Sequence, residues 1–160
     1  MSSLVVVDIC NTLANVNNEL TKRGVMIGNT YPSSVPSHLW NDTTIFSNAE
    51  SIDNVCYFVR RLGETFDRLV YLTSRPGSLS EVAEDWLSKQ RLPKAPIIYT
   101  NGEPKGEYLN QLASKEESVV VLEDSPVDIL SIKEVRSDIL LFIPQWTYNQ
   151  HIEGHHLRIS

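Results

Sequence analysis

Only two cysteines, Cys10 and Cys56, occur in 160 residues, and they form no CxxC pair. That spacing excludes a disulfide framework and a cysteine-built zinc site. Long apolar runs are also missing. The longest, around VVVL at 119–122 and ILLFI at 139–143, fall far short of the ~20 residues a membrane helix needs. The first residues carry neither a basic segment nor an extended apolar stretch of the secretory kind, so a cytoplasmic protein with no membrane partner is expected. Basic residues are outnumbered, 14 against 20 acidic, for a net charge of −6. Long-range attraction to nucleic acid therefore gains no support from the total, although a local basic pocket is still allowed.

What is present suits one globular domain over 1–160, with 41% hydrophobic and 21% charged residues. Short apolar runs at 4–7 (LVVV), 69–73 (LVYLT), 97–100 (IIYT), 118–122 (SVVVL) and 139–143 (ILLFI) predict strands covered on both faces, because the runs do not alternate with polar residues. Helical spacing falls between them. Ile52, Val55, Val59 and Leu62 share one face, and Ser78 with Glu81 offers a capping box ahead of Val82, Trp86 and Leu87. Residues 105–114 and 126–136 supply two further helices, the second opened by Pro126. Alternating strands and helices imply a parallel sheet between two helical layers, an α/β Rossmann-like sandwich of about five strands. Residues 14–50, rich in Asn, Ser, Thr and Pro, interrupt the rhythm and are expected to form a flap or small cap after the first strand. Residues 145–160 are expected to form a polar tail, its His151, His155 and His156 frayed rather than metal-binding.

In an open parallel sheet, ligands gather beyond the carboxyl ends of the strands. Those ends hold Asp8 after the first strand, Thr73, Ser74 and Arg75 after the second, and Glu123 and Asp124 after the fourth, with Asp128 one turn later. Lys105 opens the helix before the fourth strand. This set suits phosphoryl transfer. Asp8 and an acid from 123 and 124 can hold Mg²⁺, Lys105 offsets the repulsion between a carboxylate nucleophile and phosphate, and Thr73 can hydrogen-bond a phosphoryl oxygen. Arg75 suits a bidentate contact to that oxygen or to another part of the substrate.

DICNT, LTSRP, the lysine of EPKGEYL and VVVLEDSPVD stand in the order of the four haloacid dehalogenase-superfamily motifs, and the chain resembles that family from residue 4 to about 143. The resemblance implies strand order 3-2-1-4-5 and an aspartyl-phosphate on Asp8. It also implies Mg²⁺ held by Asp8, the Cys10 carbonyl and Asp124, with Glu123 or Asp128 completing or orienting the shell. Asn11 and Thr12 then join Ser74 and Arg75 as expected substrate contacts, and Asp8, Thr73 and Lys105 form the catalytic set. The short insert resembles those of members with minimal caps.

One position departs from the pattern. Family phosphatases usually place a second aspartate two residues after the nucleophile to shuttle the leaving-group proton, and here that place holds Cys10. A thiol, with a free pKa near 8.5, is a poor substitute, and losing such a group costs about 10² to 10⁴ in rate. Three consequences follow as alternatives. The substrate has a good leaving group, such as an acyl phosphate; or an insert residue, His38, Glu19 or Asp42, supplies the proton; or the protein is an impaired phosphate-binding or partner-binding module. Cys10 itself is no phosphatase nucleophile, because the arginine such loops need six residues on is Val16.

Rival readings fit less well. A receiver domain places its acidic pair after the first strand, whereas here the pair comes fourth, and no GxGxxG or GxxxxGK[ST] follows any strand. Dehalogenation would reuse Asp8 but leave the acidic pair without work. The expectation is therefore a slow or specialised phosphatase or phosphotransferase. Its substrate is a phosphorylated small molecule or a phosphorylated macromolecular end; Lys22, Arg23, Tyr31, His38 and Trp40 of the insert are a cationic and aromatic mix able to stack on and pair with a nucleotide, although scattered surface residues of a loop are the preferred reading.

Overall fold

The computed structural model describes residues 2–29 and 35–159. Each apolar run becomes a strand: β1 (Ser3–Val7), β2 (Arg68–Thr73), β3 (Ile97–Tyr99), β4 (Ser118–Leu122) and β5 (Leu140–Pro144). Among the described residues six α-helices intervene, α1 (Val16–Lys22), α2 (Thr43–Asn48), α3 (Asp53–Thr65), α4 (Ser80–Lys89), α5 (Lys105–Leu112) and α6 (Pro126–Val135). A further strand, β6 (His155–Leu157), follows, and all neighbours in the sheet run parallel in the order 3-2-1-4-5-6. The expected α/β sandwich is thus present with one strand more than expected.

Alternation along β1 sorts the core into two halves. Val5 and Val7 pack with Val55 and Val59 of α3, Trp86 of α4, and Leu20 and Phe46 of the insert, whereas Leu4 and Val6 face Leu109 of α5 and Ile129 and Ile132 of α6. Helices therefore cover both faces, and this burial supplies the main stabilisation. No helix among the described residues is long and apolar enough to cross a membrane.

Three expectations need correction. The segment expected as a polar tail is not frayed over its described part, 145–159. His155 and His156 lie in β6 beside Phe142 and Ile143, His155 stacks on Phe142 with ring centroids 5.2 Å apart, and a His156 ring nitrogen lies 2.7 Å from the Ile152 carbonyl oxygen. The capping box at Ser78 does not form. Gly77–Leu79 is a 3₁₀ turn, and α4 starts at Ser80 without a side-chain cap. The insert, finally, is packed into the domain over its described parts rather than set off from it as loop. Val16, Leu20, Ile45 and Phe46 are buried in the main core, and Trp86 Nε1 donates to the Ala49 carbonyl at 2.8 Å. Tyr31 of the insert's cationic and aromatic group lies outside the described residues.

Register then builds the site. Val7 is level with Leu122 on one side and Tyr71 on the other, so Asp8, Glu123 and, two residues past Tyr71, Thr73 leave the sheet at one edge. Lys105 is set by a different device. Gly106, the next residue, presses α5 onto α6, where any Cβ would collide with the Ser131 backbone, and its amide donates to Ser131 Oγ at 2.8 Å. That contact fixes where α5 begins.

Candidate active site

Asp8 lies at the centre of a buried polar cluster. Its Oδ1 is 2.8 Å from Lys105 Nζ, which also lies 2.5 Å from Glu123 Oε2. Its Oδ2 accepts from Thr12 Oγ1 at 3.1 Å, and the same hydroxyl makes a longer 3.4 Å contact to Asp124 Oδ1. Lys105 is only 1% exposed, and Asp8, Glu123 and Asp124 are equally enclosed as a class. Acids 115 or more positions from Asp8 have thus been brought to it. One ligand oxygen from each of Asp8, Glu123 and Asp124 lies within 4.8 Å of the others, the one such grouping among the described residues.

The electrostatics of this cluster are lopsided. Burial pushes the Glu123 carboxyl well above the usual range and Asp8 adds to the rise, while Lys105 opposes it. Burial likewise raises Asp124, with Asp8 and Glu123 adding repulsion and the Tyr148 hydroxyl opposing. Asp128 is raised by burial and drawn back by Lys105. For Lys105, burial acts to lower the value, but the charges of Asp8, Glu123 and Asp128 outweigh it and hold the ammonium well above its ordinary pKa. One ammonium serves two carboxylates, and Asp124 has no ion-pair partner among the described residues. A desolvated all-oxygen donor set short of positive charge is what a hard divalent cation such as Mg²⁺ fits.

The loop after β1 is shaped by Asn11, whose φ of 61° is a conformation that Asn tolerates better than most residues. Its side-chain oxygen accepts from the Asn17 amide at 2.7 Å, and its carbonyl accepts from Trp146 Nε1 at 2.8 Å. Thr12, expected to meet substrate, is instead fully buried as a bridge between Asp8 and Asp124. Ser125 caps α6, where its hydroxyl accepts from the Asp128 amide, while the Ser125 amide donates to Glu123 Oε1 at 3.1 Å. Ser74 Oγ donates to Asp128 Oδ2 in a long 3.4 Å contact.

A cavity of about 380 Å³ opens beside Asp8, lined among others by Cys10, Asn11, Trp40, Phe46, Thr73, Ser74 and Arg75. Cys10 does not stand free in it. Its sulfur accepts from Arg75 Nε at 2.9 Å, and burial raises its thiol pKa while Arg75 pulls the other way. Cys56 behaves as an inert core thiol, pushed up to about 12 chiefly by burial. Of the insert residues considered as proton donors, none is among those lining the cavity. His38 is exposed, and Asp42 caps α2 through the Thr44 amide. Burial raises the Glu19 carboxyl, but hydrogen bonds from Lys22 and Arg23 outweigh it and hold it low. Those bonds also occupy Lys22 and Arg23 of the insert, so that Trp40 and Phe46 are what the insert contributes to the cavity.

Sequence reasoning missed Tyr148 and Asn149. Tyr148 OH donates to Asp124 Oδ2 at 2.6 Å, and Asn149 Nδ2 donates to the Asp124 carbonyl at 3.0 Å. The signal was available, because both follow the carboxyl end of β5, the same sheet edge that supplies the other polar residues. Phe46 gave no comparable signal.

No protein-family model and no curated protein matches this chain. Solved structures do. A chain of the Pnkp1/Rnl/Hen1 RNA repair complex superposes with a TM-score of 0.63 at 15% identity, over 90% of this chain and 42% of that one. The present chain thus spans under half the length of that match. A haloacid dehalogenase-like hydrolase from Streptococcus pneumoniae gives 0.63 at 12% identity, over 98% of this chain and 94% of that one. A HAD-superfamily hydrolase from Ehrlichia chaffeensis gives 0.55 at 17%, over 99% and 93%. At such identities the likeness concerns architecture, and over nearly its whole length this chain has the α/β fold of haloacid dehalogenase-type hydrolases.

Proposed function

We propose that the protein is a Mg²⁺-dependent phosphohydrolase that works through an aspartyl-phosphate on Asp8. The observation that carries this reading is the buried convergence of Asp8, Glu123 and Asp124, the first two of which pair with the Lys105 ammonium. Mg²⁺ held by Asp8, Asp124 and the Cys10 carbonyl, with Glu123 and Asp128 orienting the shell, would neutralise phosphate charge and so permit attack by a carboxylate. Lys105 fixes the Asp8 oxygen that it touches and stabilises negative charge on the transferring group. Thr73 offers its hydroxyl to a phosphoryl oxygen. Tyr148 and Asn149 hold Asp124 in place.

The proton shuttle is the weak element. Cys10 is tied to Arg75 and is a poor acid, so the account favours substrates whose leaving group departs unaided, such as acyl or anhydride phosphates. The likeness to an RNA-repair chain supports keeping phosphorylated nucleic-acid ends among the candidates. The Cys10–Arg75 contact also supports the second reading, a phosphate-binding module with little turnover.

A phosphatase screen separates the two. Alkyl phosphates, acyl phosphates, nucleotides and 3′- or 5′-phosphorylated oligonucleotides are offered to the native protein and to Cys10→Asp, with Mg²⁺ or with EDTA. Turnover is expected to need Mg²⁺, and Cys10→Asp to speed alkyl phosphates by up to about 10²-fold, with acyl phosphates gaining less. Undiminished turnover in EDTA contradicts the magnesium reading. Phosphate binding with no turnover in either protein favours the module.

A further inference from the structure

Arg75 is 4% exposed, and its guanidinium is held at two points. Nε donates to Cys10 Sγ at 2.9 Å, and the guanidinium carbon lies 4.3 Å from the centroid of the Phe46 ring, a cation–π contact. The remaining nitrogens, Nη1 and Nη2, are buried and have no hydrogen-bond partner among the described residues. Buried polar groups are nearly always paired, and a guanidinium with two idle donors is a conspicuous exception.

The neighbours sharpen the point. Asp8, Glu123 and Asp128 line the same cavity, yet Arg75 forms an ion pair with none of them. Its contacts are with Cys10 and Phe46, whereas the carboxylate cluster is served by Lys105. Two adjacent Nη donors in one plane match the two oxygens of a carboxylate or phosphate, a bidentate geometry that lysine cannot reproduce. The stack on Phe46 and the bond to sulfur remove much of the side chain's freedom before any ligand arrives, so less is lost on binding.

We propose that Arg75 is a receptor for a second oxyanion, and that the substrate is an organic phosphate bearing a carboxylate or another phosphate away from the group transferred. This rests on the phosphohydrolase reading for the first phosphate. Cys10 is then a positioning residue for the guanidinium rather than a degraded acid.

The test uses matched ligands: phosphoglycolate against ethyl phosphate, and propane-1,3-diyl bisphosphate against propyl phosphate. Affinity is measured by calorimetry with Mg²⁺ on Asp8→Asn protein, which does not consume the ligand, and kinetics are measured on native protein. The second anion should tighten binding by about 10- to 100-fold, and in native protein the gain should fall on KM rather than kcat. The arm with the larger ratio identifies the second group as carboxylate or phosphate. Added to the Asp8→Asn background, Arg75→Gln should shrink the ratio below about threefold, and Arg75→Lys, which keeps the charge and guards against misfolding, should keep only part of it. Cys10→Ala should weaken the preference and Cys10→Ser, which retains an acceptor, should restore most of it. Equal binding within each pair, or a preference that survives Arg75→Gln, overturns the inference. If no ester is hydrolysed but the binding preference holds, the hydrolase reading falls and the receptor stands.

Discussion

On the proposed function, Asp8→Asn is expected to lower Mg²⁺-dependent turnover by at least about 10⁴-fold, because it removes the proposed nucleophile outright. The fold should survive. An asparagine oxygen can still accept from Lys105 where Asp8 Oδ1 does, 2.8 Å away, and its amide nitrogen can donate to the Thr12 hydroxyl that now donates to Oδ2. The loss is therefore chemical rather than structural, and circular dichroism together with urea unfolding should separate the two. Residual turnover within tenfold of native would assign the attack to some other group.

Lys105→Met is expected to have the largest effect on stability. The ammonium lies between Asp8 and Glu123, and all three side chains are almost fully buried. Methionine keeps the length and removes the charge, leaving two buried carboxylates facing each other with Asp124 nearby. Removing one partner of a buried pair costs about 3–5 kcal/mol. In urea unfolding without divalent ions the variant should lose that amount, and saturating Mg²⁺ should return part of it, because a cation held by the folded state stabilises it by mass action. Native-like stability without Mg²⁺ would mean that Lys105 is an ordinary solvated residue at a helix start.

The polar edge of the sheet was legible because its residues contradict their surroundings. Asp8 ends a run of LVVV, Glu123–Asp124 ends SVVVL, and Thr73 ends LVYL, so apolar strands deliver polar groups to one edge once a parallel sheet is assumed. Lys105 was legible as a lysine at a helix start and through the order of the motifs, but its burial was not, since that depends on Gly106 meeting Ser131 on another helix. The strand β6 was not legible. HHL carries no apolar pattern, and it is a strand because the edge of β5 offers it backbone partners.

The insert misled for a related reason. Its Asn, Ser and Pro content reads as loop, yet Val16 and Leu20 lie one helical turn apart and Ile45 with Phe46 ends up in the core, which only the tertiary packing decides. Phe46 in turn gives Arg75 its aromatic platform, a pairing across 29 positions that no local motif announces. Tyr148 was within reach of the rule that found the other residues, had the strand ends been followed to β5.

A titration with Mn²⁺, a paramagnetic stand-in for Mg²⁺ with similar preference for oxygen ligands, followed by electron paramagnetic resonance, bears most directly on the convergent carboxylates. The native protein should bind one ion per chain, and Asp124→Asn, which removes a carboxylate with no ion-pair partner among the described residues, should weaken binding by about 10- to 100-fold or more. Absence of binding at millimolar Mn²⁺, or equal binding by Asp124→Asn, would contradict the account.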